Sequence, residues 1–264
     1  MALGFFMKRR PGSQKPAVPV QKPVAKETPV RSEASGVSYA FIDASNMFWG
    51  GRENVGFKID YGKLLNYLKT KYSVAKAFYY GGVRIFDYDY SILDGKPLDL
   101  ALLTDHLKEL KKNSDENQAA LIDVSLNKIN FYQRLQEFGY VMRIKPAKVF
   151  YDEDDLNQER PILKANCDVD MTFDMMRYMG QYSGVVAMTG DGDFAAILGY
   201  LKNQGRSVAV LSRFERTAKE IRQIAGDSFV DFTKLKHVIE IPDRAAGHYW
   251  VKKRNSHSHK ASSK

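Results

Sequence analysis

The chain has 264 residues, 44% hydrophobic and 12% aromatic, enough for the core of one large domain with tails. A single cysteine, Cys167, excludes an internal disulfide framework and fits a reducing, cytoplasmic setting, and no apolar run approaches the ~18 residues that span a bilayer. The formal net charge of +9 suggests a nucleic-acid partner, but its distribution matters more than its size.

Residues 1–36 hold seven Lys/Arg against two Glu, and residues 243–264 hold six against one Asp, so each tail carries +5 and residues 37–242 carry −1. The apolar start, Met1 to Met7, precedes Lys8-Arg9-Arg10 instead of following it, the wrong order for a secretory signal. Five prolines in the first thirty residues argue against an amphipathic targeting helix. Both tails are expected to be disordered. They are either solubilising or expression-derived extensions, or arms that attract phosphate.

The body opens with a short buried strand over 39–42 that ends at Asp43, and Ala44-Ser45-Asn46 turns the chain. A helix is expected over 60–72, with Asp60 as its cap and Leu64, Leu65 and Leu68 on one face. The second strand is expected over 74–80, closed by Gly81-Gly82. Strand, helix and strand of these lengths imply a right-handed crossover and a parallel sheet. Residues 83–122 form an insertion with a helix over 98–110 and an exposed polar run over 111–118. Asp87, Asp89, Asp94 and Asp99 lack the spacing of a calcium loop and are expected to be solvated loop acids.

A helix over 124–138 is stopped by Gly139, and a third strand follows over 140–144. Residues 149–151 and 161–164 flank the acidic run 152–159, the pattern of a hairpin with a charged, exposed tip. Val169, Thr172, Phe173 and Met176 then keep helical spacing, which puts Asp168 at or near a helix N-cap. Val185 to Met188 is a strand apolar on both faces, running into Thr189-Gly-Asp-Gly-Asp193, with Asp193 expected to cap the helix that follows. A strand over 207–211, a helix over 217–224 and a short strand over 229–232 complete the alternation. The fold class expected is α/β, a three-layer α/β/α sandwich around a mainly parallel sheet.

On this reading Asp43, Asp168, Asp191 and Asp193 converge at the carboxyl edge of one sheet, where open α/β sheets keep their sites. Four crowded carboxylates repel one another, and a hard divalent cation relieves the repulsion. All-oxygen ligation favours Mg²⁺ or Mn²⁺, and none of the five histidines has zinc-ligand spacing in the body. No P-loop motif occurs, which leaves metal-assisted phosphodiester hydrolysis as the natural chemistry. Asp174 lies nearly two turns beyond Asp168 and about 120° round the helix, a poorer position for the cluster. Asp168-Val-Asp-Met-Thr172 also matches the Asp-x-Asp-x-Thr of haloacid-dehalogenase-type phosphatases, whose motif follows a hydrophobic strand near the domain start. Here the segment reads as helix and Lys164-Ala-Asn-Cys167 precedes it.

Phe41-Ile-Asp-Ala-Ser-Asn46, the segment from Lys164 to Asp174 and Thr189-Gly-Asp-Gly-Asp-Phe194 resemble, in order and spacing, the three signature blocks of the NYN domain of the PIN-like nuclease superfamily. The resemblance covers roughly residues 38–232, including the trailing Gly205-Arg-Ser-Val-Ala-Val210 strand. It implies a PIN-like fold, a Mg²⁺ or Mn²⁺ site and RNA, single-stranded or structured, as partner. Carried over, Asp43, Asp168, Asp191 and Asp193 are the metal-site and catalytic acids, with Asn46 and Asp174 in support. Thr189 stands where Ser is more usual, and Asn166-Cys167 where Gly-Val is. Two readings stay open: a metal-dependent ribonuclease, or a catalytically silent NYN module that binds RNA or a protein partner. If the tails do not supply the basic footprint, Arg52, Arg84, Lys145 and Arg213 are the residues of the body expected to bind nucleic acid. No membrane association is expected.

Overall fold

The computed structural model describes residues 36–45, 57–150 and 162–242. Expectations placed on residues 1–35, Asn46, Arg52, the acidic run 152–159 and residues 243–264 lie outside the described residues. The strands are β1 (Ser38–Asp43), β2 (Val74–Val83), β3 (Val141–Pro146), β4 (Lys148–Phe150), β5 (Ile162–Lys164), β6 (Gly184–Met188), β7 (Ser207–Ser212) and β8 (Phe229–Asp231). Six of them form one sheet, parallel throughout, in the order β3-β2-β1-β6-β7-β8. β4 and β5 pair antiparallel outside that sheet, as the expected hairpin requires.

The central strand shows why both faces must be covered. Tyr39 and Phe41 enter one core while Ala40 and Ile42 enter the other, the two-residue period of a strand buried on both sides. The helices are α1 (Tyr61–Tyr72), α2 (Leu100–Lys112), α3 (Glu116–Phe138), α4 (Asp168–Arg177), α5 (Ala195–Asn203), α6 (Lys219–Ala225) and α7 (Lys236–Ile239). Leu64 and Leu68 of α1, Leu103 and Leu107 of α2, Ile129 and Tyr132 of α3 and Ile239 of α7 cover the Ile42 face. Met171 and Met175 of α4, Leu198 and Leu201 of α5 and Ile221 of α6 cover the Phe41 face. The result is the three-layer sandwich expected from the alternation of elements. No helix among the described residues is long and apolar enough to cross a membrane.

Element ends follow from local chemistry. Asp60 caps α1 by accepting from Lys63 N at 3.0 Å. Asp99 is exposed, as expected of a solvated loop acid, and has a second task. It caps α2 by accepting from Ala101 N and Leu102 N. Asp115 does the same for α3, accepting from Gln118 N at 2.8 Å, which is why that helix starts well before the expected residue 124. Gly139, at φ 104°, ends it in the left-handed region.

Two further expectations are corrected. Gly81 and Gly82 do not close β2; they lie within it. A Cβ on Gly81 would fall 2.6 Å from Tyr132 Oη, and one on Gly82 would fall 2.2 Å from Ala165 Cβ. Glycine there permits close approach of layers and is not a turn signal. In α4 the residues whose spacing announces the helix face solvent: Val169 is 78% exposed, Phe173 60% and Met176 40%. Met171, Asp174 and Met175 are the buried ones.

In sheet order, β2 lies on one side of β1 and β6 on the other. Chain order therefore reverses between β1 and β6, and the crevice at their carboxyl ends is where such sheets bind ligands.

Candidate functional site

Asp43, the last residue of β1, is buried, and its Oδ1 accepts from Ser45 N at 2.9 Å and Ser45 Oγ at 2.6 Å. On the adjacent strand, β6 runs out at Met188 into buried Thr189, whose Oγ1 accepts from Asp191 N at 3.2 Å. Asp191 Oδ1 in turn accepts from Asp193 N at 3.0 Å and caps a single 3-10 turn, Gly192–Phe194, that leads into α5. The expected cap is thus corrected: Asp191 holds the turn, and Asp193 stands one step inside it.

Gly190 is required by space. A Cβ there would meet Ser212 Oγ at 2.8 Å and Arg216 O at 2.9 Å, and Ala218 N donates to Gly190 O at 2.9 Å. The acidic loop is clamped onto the connection between β7 and α6.

The third element is α4, whose first residue is Asp168. Its backbone N–H donates to Asn166 Oδ1 at 3.0 Å, so Asn166 turns the chain into the helix. At a helix N-terminus the aligned peptide dipoles favour an ionised carboxylate. Asp168, Asp191 and Asp193 each present an oxygen within 4.8 Å of the others. The Asp168 carboxyl is held above the ordinary carboxylate range, by burial first, then by the charges of Asp43, Asp191 and Asp193. All four acids therefore share one electrostatic field. Three hard oxygen donors at this separation, in mutual repulsion, fit a small divalent cation such as Mg²⁺ or Mn²⁺.

Asp174 stands apart from that cluster. It is buried, and its Oδ2 accepts from Tyr80 Oη at 3.0 Å and from Arg143 Nε at 2.6 Å. Arg143 also donates to Tyr178 Oη at 3.2 Å, so the Asp174 charge is compensated within the layer between sheet and α4. Burial and the Asp174 charge hold the Tyr80 phenol far above its ordinary value, fixing it as a donor.

The cations expected on the body, where described, stand at the carboxyl ends of strands. Arg84 follows β2, with its guanidinium 4.3 Å over the Phe86 ring and its Nη1 buried without a hydrogen-bond partner. Lys145, on β3, pairs with Asp170 at 2.6 Å. Arg213 follows β7 and pairs with Glu215 at 2.9 Å. Asn46 and Arg52 lie outside the described residues. The Cys167 thiol is pushed up to about 12 by burial, with Asp170, Asp43 and Asp168 adding to it against Lys145, which disfavours the thiolate. Asp168-Val-Asp-Met-Thr172 is helical and follows β5 of the hairpin, so the strand-borne aspartyl nucleophile of a phosphatase is not formed.

Sequence reasoning alone misses Ser45, Asn166 and Thr189 as supports of the acids. Their signal is a repeated spacing of two: Asp43-x-Ser45, Asn166-x-Asp168, Thr189-x-Asp191 and Asp191-x-Asp193 each close an Asx- or Ser/Thr-type turn.

A six-stranded parallel sheet with aspartates gathered at its switch point defines a doubly wound α/β protein with an acidic site at its strand ends. A family profile of the NYN domain matches residues 39–235, and the chain belongs to that family. It is 27% identical over 206 residues to the low amplitude and bright protein LabA of Synechococcus elongatus, across 77% of this chain and 88% of that one. Among solved structures it is similar to a protein of unknown function, VPA0982 of Vibrio parahaemolyticus. The TM-score there is 0.47 and the identity 17%, over 76% of this chain and 95% of that one. It is also similar to the T5 D15 protein co-crystallised with metal ions, at TM-score 0.38 and 12% identity, over 70% of this chain and 59% of that one.

Proposed function

We propose that the protein is a metal-dependent ribonuclease that hydrolyses RNA phosphodiester bonds at Asp168, Asp191 and Asp193, beside Asp43. The observation that carries this reading is the approach of three carboxylates to within 4.8 Å of one another at the switch point of the sheet. Membership in the NYN family supports it. Asp191 and Asp193, exposed on a clamped loop, are the acids a cation reaches first, and Asp168 completes the set. Mg²⁺ or Mn²⁺ held there supplies Lewis acidity toward a phosphate oxygen. Asp43, fixed by Ser45, keeps the pocket negative behind them. Asp168, at the first position of α4 and within 4.8 Å of the other two acids, would accept a proton from water attacking beside that cation. The water oxygen bonds to phosphorus as the bond to the 3′ oxygen breaks; that oxygen takes a proton from solvent and leaves as a hydroxyl, and the carboxylate gives its proton back to solvent. The 2′-hydroxyl takes no part.

Incubation of the full chain with single-stranded RNA, hairpin RNA and matching DNA, with Mn²⁺ and with EDTA, tests this. RNA cleavage that needs Mn²⁺ and stops in EDTA is expected; cleavage that persists in EDTA overturns the metal requirement. The exposed stripe of Val169, Phe173 and Met176, on the helix that starts at Asp168, favours a second reading as a silent module with a protein partner. No cleavage of any of these substrates with Mn²⁺, or with Mg²⁺ in its place, by a chain that stays folded would select it.

A further inference from the structure

Phe214 is 51% exposed, yet its ring is held in place. It follows β7 in the 3-10 turn Phe214–Arg216, where Arg216 N donates to Arg213 O at 3.0 Å and Thr217 Oγ1 donates to the same oxygen at 2.7 Å. The Arg222 guanidinium lies 4.3 Å over the ring, and Phe229 meets it at 6.0 Å in a T-shaped arrangement. The residue keeps half its surface open to water in a hydrogen-bonded turn, while the Arg222 guanidinium covers part of the ring.

Its surroundings are basic. Residues 213–222 contain Arg213, Arg216, Lys219 and Arg222 against Glu215 and Glu220, within a body that is otherwise slightly acidic. Arg216 and Lys219 are exposed. The turn also adjoins the acid cluster. β7 is the next strand after β6, about 4.8 Å away, the inter-strand spacing. Gly190 of the acidic loop packs directly against Ser212 and Arg216, and Ala218 N donates to Gly190 O. Aromatic rings interleaved with cations beside a phosphodiester site are the elements that bind single-stranded nucleic acid, the ring taking a base and the cations its phosphates.

We propose that this turn is a nucleotide subsite. A base of single-stranded RNA stacks on Phe214, and adjoining phosphates meet Arg216 and Lys219, one strand away from Asp191. The proposal rests on the RNA reading of the acid cluster for the identity of its occupant. A base-stacking subsite accepts any base, because every base has a π face, so it sets strand position and not sequence.

The test measures anisotropy of the full-length chain with two labelled twelve-nucleotide probes in EDTA, where cleavage plays no part. One probe is oligouridine; the other is the same ribose-phosphate chain without bases. Phe214→Ala should weaken oligouridine binding by about five-fold or more and leave the abasic probe unchanged, while Phe214→Trp keeps both. Arg216→Gln with Lys219→Gln, both at exposed positions, should weaken both probes and lower the salt slope by up to roughly 0.7 per charge removed. Equal losses for the two probes in Phe214→Ala, or no loss in a variant that melts like the parent, overturn the subsite and leave the patch to a protein partner. Should Phe214→Ala fail to fold, an unchanged salt slope in the Arg216/Lys219 variant overturns the proposal by itself. Base-dependent binding at Phe214 without cleavage in Mn²⁺ sinks the ribonuclease and spares the subsite. Cleavage without any Phe214 dependence does the reverse.

Discussion

Asp168 carries the electrostatic cost of the cluster. Burial and its three acidic neighbours raise its carboxyl above the ordinary value of 3.8, so the folded chain keeps that proton to a higher pH than the unfolded chain. Across that interval the native state binds more protons, and this contribution to stability falls as pH rises through it. Asp168→Asn removes the penalty. In metal-free buffer it should melt above the parent at pH 7, with the difference closing as pH falls toward 3.8, and its Mn²⁺-induced rise in Tm should be smaller. A variant that melts lower at pH 7 would make Asp168 a structural residue. Asp174 predicts the opposite pattern, because its charge is compensated by Arg143 and Tyr80. Asp174→Ala leaves Arg143 half-buried and unpaired and should cost about 3 kcal/mol in urea unfolding, with the Mn²⁺ response intact. Loss of the Mn²⁺ response there would place Asp174 in the site.

At the scale of elements, the junctions do the positioning. Gly82 lets β2 approach Ala165, which stands directly before the Asn166–Asp168 turn. Gly82→Ala should therefore push the start of α4 outward. It should destabilise the fold by about 1–3 kcal/mol and weaken Mn²⁺ binding, read by unfolding and by metal titration. An unaltered metal affinity would separate β2 packing from the site. The legibility of the sequence follows the same physics. β1, β6 and the turn after β6 are readable because strands buried on both faces are short apolar runs cut off by turn residues. Gly81-Gly82 misleads because the atoms that crowd it, in Tyr132 and Ala165, lie far along the chain. For α4, a 3.6-residue period marks a helix without saying which stripe is buried. Val169, Phe173 and Met176 keep the period and face water, while the buried stripe includes an aspartate that needs Arg143 from β3. Asp43, Asp168 and Asp191 are recognisable as element ends. Ser45, Asn166 and Thr189 are not, since turns closed over two residues occur in any loop.

For the whole molecule, charge is divided between a nearly neutral body and two tails of +5 each. The tails should supply most sequence-independent RNA affinity, and the body the chemistry. Deleting residues 1–36 and 243–264 should weaken RNA binding and flatten its salt dependence, by up to roughly 0.7 in slope for each phosphate no longer neutralised. An unchanged slope would move the footprint to Arg84, Lys145, Arg213 and the cations around Phe214. The central claim is that carboxylates at the switch point of the sheet direct water at phosphorus. End-group analysis of RNA cut by the full chain in Mn²⁺, run beside Asp191→Asn, tests it most directly. Asn keeps the acceptor for Asp193 N and so keeps the turn, while removing the charge. The account predicts 5′-phosphate and 3′-hydroxyl ends from the parent chain and no turnover from the variant. Cyclic 2′,3′-phosphate ends, or cleavage by Asp191→Asn at the parental rate, would contradict it.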